Sequence, residues 1–321
     1  MRTPELLTRL LLVACVALAP AARAETELTV MSFNIWGGGA NQGQPVDATV
    51  AAIRAAGADI IGVQETRVES VPCEADACGP AGESVARQIA AALGYYWYDQ
   101  TAKHSALWAN AIISRYPFAG PPTPHDTGIA VLVQGRRVQL FNIHLDDSPY
   151  QPYQLLGIGY GDHPALKTAR DAIRAAEATR GEGLSLLFED MSAARPADAV
   201  FVFGDFNEPS HRDWTAATVR TGLQPLAVAF PSVRAIERRG FIDLFRAVHP
   251  DPVAKPGFTW TPTSDPQARD DHHDRIDFTL GRARHLRVIE AGIVGEKAPQ
   301  ADIVVSPWPS DHRATYARVR F

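Results

Sequence analysis

The sequence predicts an α+β fold, and three observations carry the prediction. Short apolar runs of strand length recur along the chain, helical patterns that close on glycine sit between some of them, and the two kinds of segment do not alternate regularly as a doubly wound sheet would require. The composition permits a sizeable core. Of 321 residues, 46% are hydrophobic and 21% charged, which excludes a disordered tail and a membrane bundle.

In chain order, buried strands are expected at 28–35, 60–63, 111–113, 129–133, 138–144, 200–203, 276–280 and 315–321, each a short apolar run. Helices are expected at 47–56, 83–93 and 165–179, followed by Gly57, Gly94 and Gly181 where a left-handed C-terminal cap belongs. Ser210 is placed to cap a further helix running through Trp214. Clusters of Pro and Gly at 37–39, 120–124 and 251–257 read as loops. No internal repeat or low-complexity linker divides the chain, so one domain, 25–321, is expected.

The segment before it, 1–24, reads as a secretory signal. Arg2 and Arg9 precede an apolar run at 10–19, and Ala22-Arg23-Ala24 supplies the small-residue cleavage pattern. The run is about half of the roughly 20 residues a spanning helix needs, so no stable membrane insertion is expected after cleavage. Leu12-Val13-Ala14-Cys15 offers lipoprotein anchoring at Cys15 as a minor alternative. A periplasmic or secreted protein follows, and there Cys73 and Cys78 read as a short-loop disulfide worth about 2 kcal/mol. A metal site at that pair would want two more thiols or nearby histidines. The formal charge is minus 5, and loss of three arginines and one glutamate with the signal makes it minus 7. Neither value gives global attraction to a polyanion such as DNA.

Polar residues cluster where the strand-like runs stop. Asn34 ends the first, Glu65 follows the second, Asn142 and His144 end the fifth, and Asp205 and Asn207 follow the sixth; Asp277 lies in the seventh, and Asp311 and His312 precede the last. Convergence of these ends would supply oxygen ligands from Glu65, assisted by Asn34 or Asp311, of the kind Mg²⁺ prefers. His144 and His312 suit proton transfer near neutral pH, a carboxylate such as Asp277 can fix a tautomer, and asparagine amides can donate to phosphate oxygens. The set matches phosphoryl hydrolysis.

The motifs Met31-Ser32-Phe33-Asn34-Ile35, Val63-Gln64-Glu65-Thr66, Asn110-Ala111-Ile112-Ile113-Ser114-Arg115-Tyr116-Pro117, Asn142-Ile143-His144-Leu145, Gly204-Asp205-Phe206-Asn207, Arg275-Ile276-Asp277-Phe278 and Ser310-Asp311-His312-Arg313 occur in that order across nearly the whole mature chain. Together they resemble the endonuclease/exonuclease/phosphatase superfamily of metal-dependent phosphoesterases. Asn-x-His-Leu is similar to the branch of pancreatic-type deoxyribonuclease, sphingomyelinase and inositol phosphatases. The resemblance implies a four-layer α/β/β/α sandwich of two packed, mainly antiparallel sheets. It makes Glu65 the principal metal ligand, Asn34 a metal or phosphate contact and Asp311 a metal support. It gives Asp205 the attacking water, Asn207 the phosphate oxygen, His312 with Asp277 the role of base or phosphate contact, and His144 that of acid or oxyanion stabiliser. Asn142 joins Asn34 and Asn207 among the expected substrate contacts. The cofactor expected is Mg²⁺, with Mn²⁺ as the alternative.

Other clusters read more plainly. Asp270-Asp271-His272-His273-Asp274 is expected as a solvated loop, because adjacent residues of a strand face opposite ways and cannot share one ion. Arg115 and Tyr116 are expected to be structural, and Arg282, Arg284, His285 and Arg287 to be surface charge. Trp97, Trp108, Trp260 and Trp308 with Tyr95, Tyr96 and Tyr98 read as packing, with a stacking platform as the rival. The aromatic-rich loop 150–160 directly follows His144 and is expected to border the pocket. The substrate expected is a small or medium organophosphate mono- or diester. The alternative is nonspecific nuclease action on nucleic acid, and a catalytically idle binding protein on the same fold is more distant.

Overall fold

A computed structural model describes residues 25–68, 83–100 and 109–321. The expected signal segment, Cys15, Cys73, Cys78 and Trp108 lie outside the described residues.

The first half begins with strand β1 (Glu27–Asn34), helix α1 (Val46–Ala56), strand β2 (Ile60–Gln64), helix α2 (Ala86–Leu93) and strands β3 (Tyr96–Asp99) and β4 (Ala111–Ser114). Gly57 and Gly94 end the two helices at φ 60° and 72°, as the glycine signals predicted. Strands β5 (Gly128–Val133) and β6 (Arg136–His144) then form a hairpin, and helices α3 (Gln151–Leu156) and α4 (Ala169–Ala193) lead to β7 (Ala199–Asp205). Short elements follow: α5 (Ala216–Arg220), α6 (Pro231–Glu237), β8 (Ile242–Asp243) and α7 (Leu244–Val248). The chain closes with β9 (Asp277–Ala283), β10 (Arg287–Gly295), β11 (Ile303–Val304) and β12 (Ala314–Arg320).

Two sheets result, of order β11-β10-β12-β1-β2-β4-β3 and β5-β6-β7-β9-β8. Most neighbours are antiparallel; β1/β2, β6/β7 and β10/β11 are the parallel pairs. The sheets pack face to face through Leu28, Val30, Ile60, Ile112, Leu140, Phe201, Phe203 and Val319. Helices α1 and α2 cover the outer face of the larger sheet through Val50, Ile53 and Ile89, and α4 and α6 cover the smaller through Leu184, Leu187, Val233 and Ile236. This is the expected four-layer sandwich. At Gly62 the sheets come so close that a Cβ would lie 2.4 Å from that of Phe203, so glycine is required by packing.

Three local expectations need correction. Gly181 does not end a helix: α4 starts at Ala169 and runs past it to Ala193. Its buried face, Ala172, Ala176, Arg180, Gly183, Leu184, Leu187 and Asp190, keeps helical spacing, and that burial outweighs a glycine cost of about 1 kcal/mol. Ser210 heads a turn in which its Oγ accepts from the Arg212 N–H, while Thr215 caps the helix that follows. The 270–274 segment is only partly solvated. His273 is buried against Ser264 and His272 meets Gln224, so the two imidazoles do face separate partners.

Candidate active site

The polar residues flagged at strand ends gather at one edge of the sandwich, and the backbone ladders explain why. His144 of β6 lies opposite Asp205 of β7, which lies opposite Asp277 of β9. Residues in register on adjacent strands present side chains on one face, so the three form a row. β1 delivers Asn34 from the other sheet, and Glu65 follows β2 directly. Glu65 and Asn207 both adopt positive φ, 54° and 47°. Such backbone is uncommon for residues with a Cβ and concentrates at sites whose surroundings hold it in place.

The side chains form a chain of contacts. Asn34 Nδ2 donates to Glu65 Oε1 at 2.7 Å and to Asp205 Oδ2 at 3.0 Å. His144 Nε2 stands 3.8 Å from Glu65 Oε1 and 3.6 Å from Asp205 Oδ2. His312 Nε2 approaches the same Asp205 oxygen at 3.5 Å, while its Nδ1 is 2.9 Å from Asp277 Oδ2. The Asn207 N–H donates to Asp205 Oδ1 at 2.9 Å, and its amide donates to the Leu145 carbonyl. Ser310 Oγ donates to the Asn34 carbonyl at 2.7 Å and accepts from the His312 N–H, which joins the approach to β12 to the end of β1. Thr259 Oγ1 accepts from the Ile276 and Asp277 N–H groups and so fixes the start of β9.

A cleft of about 380 Å³ opens above this network. Its lining includes Glu65, His144, Asp205, Asn207, Asp311 and His312. Asp146 and Asp147 continue the wall after His144, and Tyr150, Tyr153, Tyr160 and Trp260 form an aromatic side. Residues 150–160 therefore border the pocket as expected. Trp260 reaches it because it bridges both Asp274 and His312.

Electrostatics separate the groups. Burial pushes the Glu65 carboxyl up to about 7; His144 counters this and the Asp311 charge adds to it. Burial opposes charge on His312, but the Asp277 and Asp205 carboxylates outweigh that cost and hold its pKa well above the ordinary imidazole range. Asp277 is itself raised, again chiefly by burial.

A divalent cation fits this donor set. Ligand atoms of Glu65, His144 and Asp205 lie within 4.8 Å of one another, those of Asp205, Asp277 and His312 do likewise, and the Asp311 carboxylate shares the cleft. Crowded acids of this kind are costly without positive charge between them. Asn34, expected as a metal or phosphate contact, stands at the site with its amide nitrogen facing two carboxylates and its oxygen accepting from the Trp36 N–H at 3.2 Å. It fastens the carboxylates together. Asn142, expected among the substrate contacts, lies beneath the cleft. Its amide nitrogen is 3.0 Å from the Val63 and Ala111 carbonyls and Gln100 Oε1, and its oxygen accepts from Gln64 Nε2 at 2.6 Å. Those contacts make it a buried staple between the sheets.

Comparison with known proteins accords with this geometry. The model of the endonuclease/exonuclease/phosphatase family matches residues 31–312. The chain belongs to this family. It is therefore a metal-dependent phosphoric ester hydrolase by family membership, which a fold likeness alone would not establish. An uncharacterized Caenorhabditis elegans protein is 27% identical over 311 residues, covering 92% of this chain and 91% of the relative. Among solved structures, an endonuclease/exonuclease/phosphatase family protein from Leptotrichia buccalis aligns with a TM-score of 0.54 at 14% identity, covering 92% of this chain and all (100%) of that one. An AP endonuclease from Archaeoglobus fulgidus aligns at 0.51 and 17% identity, covering 90% and 98%. D. rerio TDP2 with a single-strand DNA product aligns at 0.51 and 15% identity, covering 92% and 99%. These structural likenesses establish the family fold.

Two expectations about surroundings also meet the structure. Arg115 pairs with Asp59 at 2.8 Å and with the Tyr95 hydroxyl, a structural role. Trp308 is core, packed on Phe33, whereas Trp97 is exposed on β3 at the rim of the larger sheet.

Proposed function

We propose that the protein is an exported, Mg²⁺-dependent hydrolase of a small or medium organophosphate mono- or diester, with Mn²⁺ as an alternative ion. The observation that carries the reading is the convergence of Glu65, Asp205, Asp311, His144 and His312 on one cleft of bounded volume, about 380 Å³. A cation held by Glu65, with Asp311 and Asp205 beside it, supplies charge neutralisation on the phosphate. The remaining work belongs to side chains already oriented. Asp277 fixes His312 so that Nε2 faces the cleft and donates to a phosphate oxygen or governs the water. Asp205 lies between the two imidazoles and orients the attacking water in line. Asn207 holds a phosphate oxygen, and His144 protonates or stabilises the departing one.

The nuclease alternative is less well supported. Among the described residues lining the cleft there is no lysine or arginine, and tracking a polyanionic backbone profits from both. Export rests on 1–24 and on the Cys73/Cys78 spacing. Its test is mass spectrometry of the native secreted or periplasmic protein, where an N-terminus at 25 and a Cys73–Cys78 linkage are expected; a retained leader with two free thiols would contradict it.

The deciding experiment is a panel of phosphomonoesters, bis-ester model substrates, plasmid DNA and phospholipids, each assayed with Mg²⁺ and with excess chelator. Small esters should be hydrolysed only with the cation. Turnover in chelator would overturn the metal requirement, and preferred cleavage of plasmid would establish the nuclease alternative.

A further inference from the structure

The aromatic side of the cleft is unused by the mechanism above, and its geometry is specific. The Tyr150 and Tyr153 rings stand at 88° with centroids 4.9 Å apart, and Tyr153 and Tyr160 at 86° and 6.0 Å. Rings at right angles form a corner. Trp260 closes it, donating from Nε1 to the Tyr153 hydroxyl at 3.1 Å and lying 5.0 Å from the His312 ring. Each tyrosine hydroxyl donates to a carboxylate: Tyr150 to Asp274, Tyr153 to Asp271 and Tyr160 to Asp147. The phenols are thereby neutral, oriented and backed by negative charge.

Charge points the same way. The cleft is lined by five carboxylates, Glu65, Asp146, Asp147, Asp205 and Asp311, against two imidazoles. The buried cation behind it, Arg180, lies 4.0 Å from Glu208 Oε2 and donates to Gln151, so it is matched locally. A divalent ion offsets the carboxylates around Glu65 but leaves Asp146 and Asp147, and an added phosphodiester brings one more negative charge. An aromatic corner edged with carboxylates is suited to a positively charged alkylammonium, which the faces of electron-rich rings attract.

We propose that the cleft selects a phosphodiester bearing a small organic cation on one arm, seated between Tyr153, Tyr160 and Trp260 beside Asp147. This rests on the reading of the cleft as a phosphoester hydrolase site. It goes further by assigning the substrate's charge and the residues that sense it.

The test uses two esters of one shape, 4-nitrophenyl phosphorylcholine and 4-nitrophenyl 3,3-dimethylbutyl phosphate, which differ in a quaternary nitrogen against a quaternary carbon. Release of nitrophenolate and of the alkyl alcohol is followed for each with the Mg²⁺-loaded enzyme. The cationic ester should show kcat/KM about tenfold higher or more, and the ratio should fall toward one in Tyr160→Leu and Asp147→Asn. A readout independent of turnover is titration of the protein with choline, followed by tryptophan fluorescence and calorimetry. Saturable binding weakened by Tyr160→Leu is expected. Equal metal-dependent turnover of both esters overturns the cation pocket and leaves the hydrolase reading standing. Loss of all phosphoester turnover in the panel overturns the hydrolase reading instead, and choline binding then decides the pocket by itself, its absence sinking the proposal.

Discussion

His312 and His144 approach the same Asp205 oxygen at 3.5 and 3.6 Å, yet they occupy different surroundings. His312 is buried, clamped by Asp277 and held toward the charged form. His144 is more open, and its Nε2 lies between Glu65 and Asp205. The lesson is that proximity to a shared carboxylate does not make two imidazoles equivalent. Asp277 clamps His312 and helps hold it toward the charged form, which suits His312 to a constant part in the reaction, while the more open His144 suits one that depends on the leaving group.

The strongest way to break the comparison is to remove each ring. His312→Ala should lower kcat/KM about 10³-fold on esters with good and poor leaving groups alike, within the 10² to 10⁴ typical of a positioned acid or base. His144→Ala should cost about 10²-fold on an alkyl ester and less than tenfold on a nitrophenyl ester, because nitrophenolate departs without a proton. Equal losses for His144→Ala on both esters would make it a phosphate contact, and wild-type rates in either variant would remove that histidine from the chemistry.

A milder change sharpens the contrast. Asp277→Asn keeps a hydrogen-bonding group beside His312 but removes its charge, so the His312 pKa should fall and the corresponding limb of the kcat/KM profile should move to lower pH. A tenfold rate loss without that shift would reduce Asp277 to a packing role.

The smallest effect concerns Glu65, on the side of His144. Its folded pKa is raised from 4.5 to about 7, so the associated stability is present below the unfolded value and is lost as pH rises through the folded one. Metal-free protein should therefore lose thermal stability between about pH 4.5 and 7.5, and the gain in Tm on adding Mg²⁺ should grow over the same window. In Glu65→Gln both slopes should flatten; an unchanged slope would place the titration elsewhere.

Much of this site was legible because catalytic groups sit at strand ends and strands are marked by apolar runs. Glu65, His144, Asp205, Asn207, Asp311 and His312 all reach the cleft from such ends, and Asp277 backs His312. Asn142 was misread for the same reason: it also ends a strand motif, but its partners are Gln64 at the end of β2 and Gln100 just after β3, and no spacing announces an inter-sheet contact. Thr259 carries no sequence signal and Trp260 reads as packing, with a stacking platform only as the rival, because a bridge to Asp274 and His312, formed by a segment without strand pattern, is what places them. β3 was hidden in the aromatic run 95–98, and β10 by its first half, where Arg287, Ile289 and Glu290 are exposed and burial begins only at Ala291. The extent of α4 was missed because glycine is a local signal and sheet packing is not.

The row His144, Asp205 and Asp277 has a consequence for how this chain tolerates change in length. Its members are aligned by the ladders of β6, β7 and β9, and a strand reverses side-chain direction at every residue. The connection between α5 and α6 lies outside the strands, so an added residue there leaves the row in step. One residue inserted within β7 would instead turn Asp205 away from both imidazoles, or shift every apolar partner behind it to the wrong face. Descendants of this sequence should therefore accumulate insertions between strands, while the seven positions from Ala199 to Asp205 keep their count even where their side chains vary.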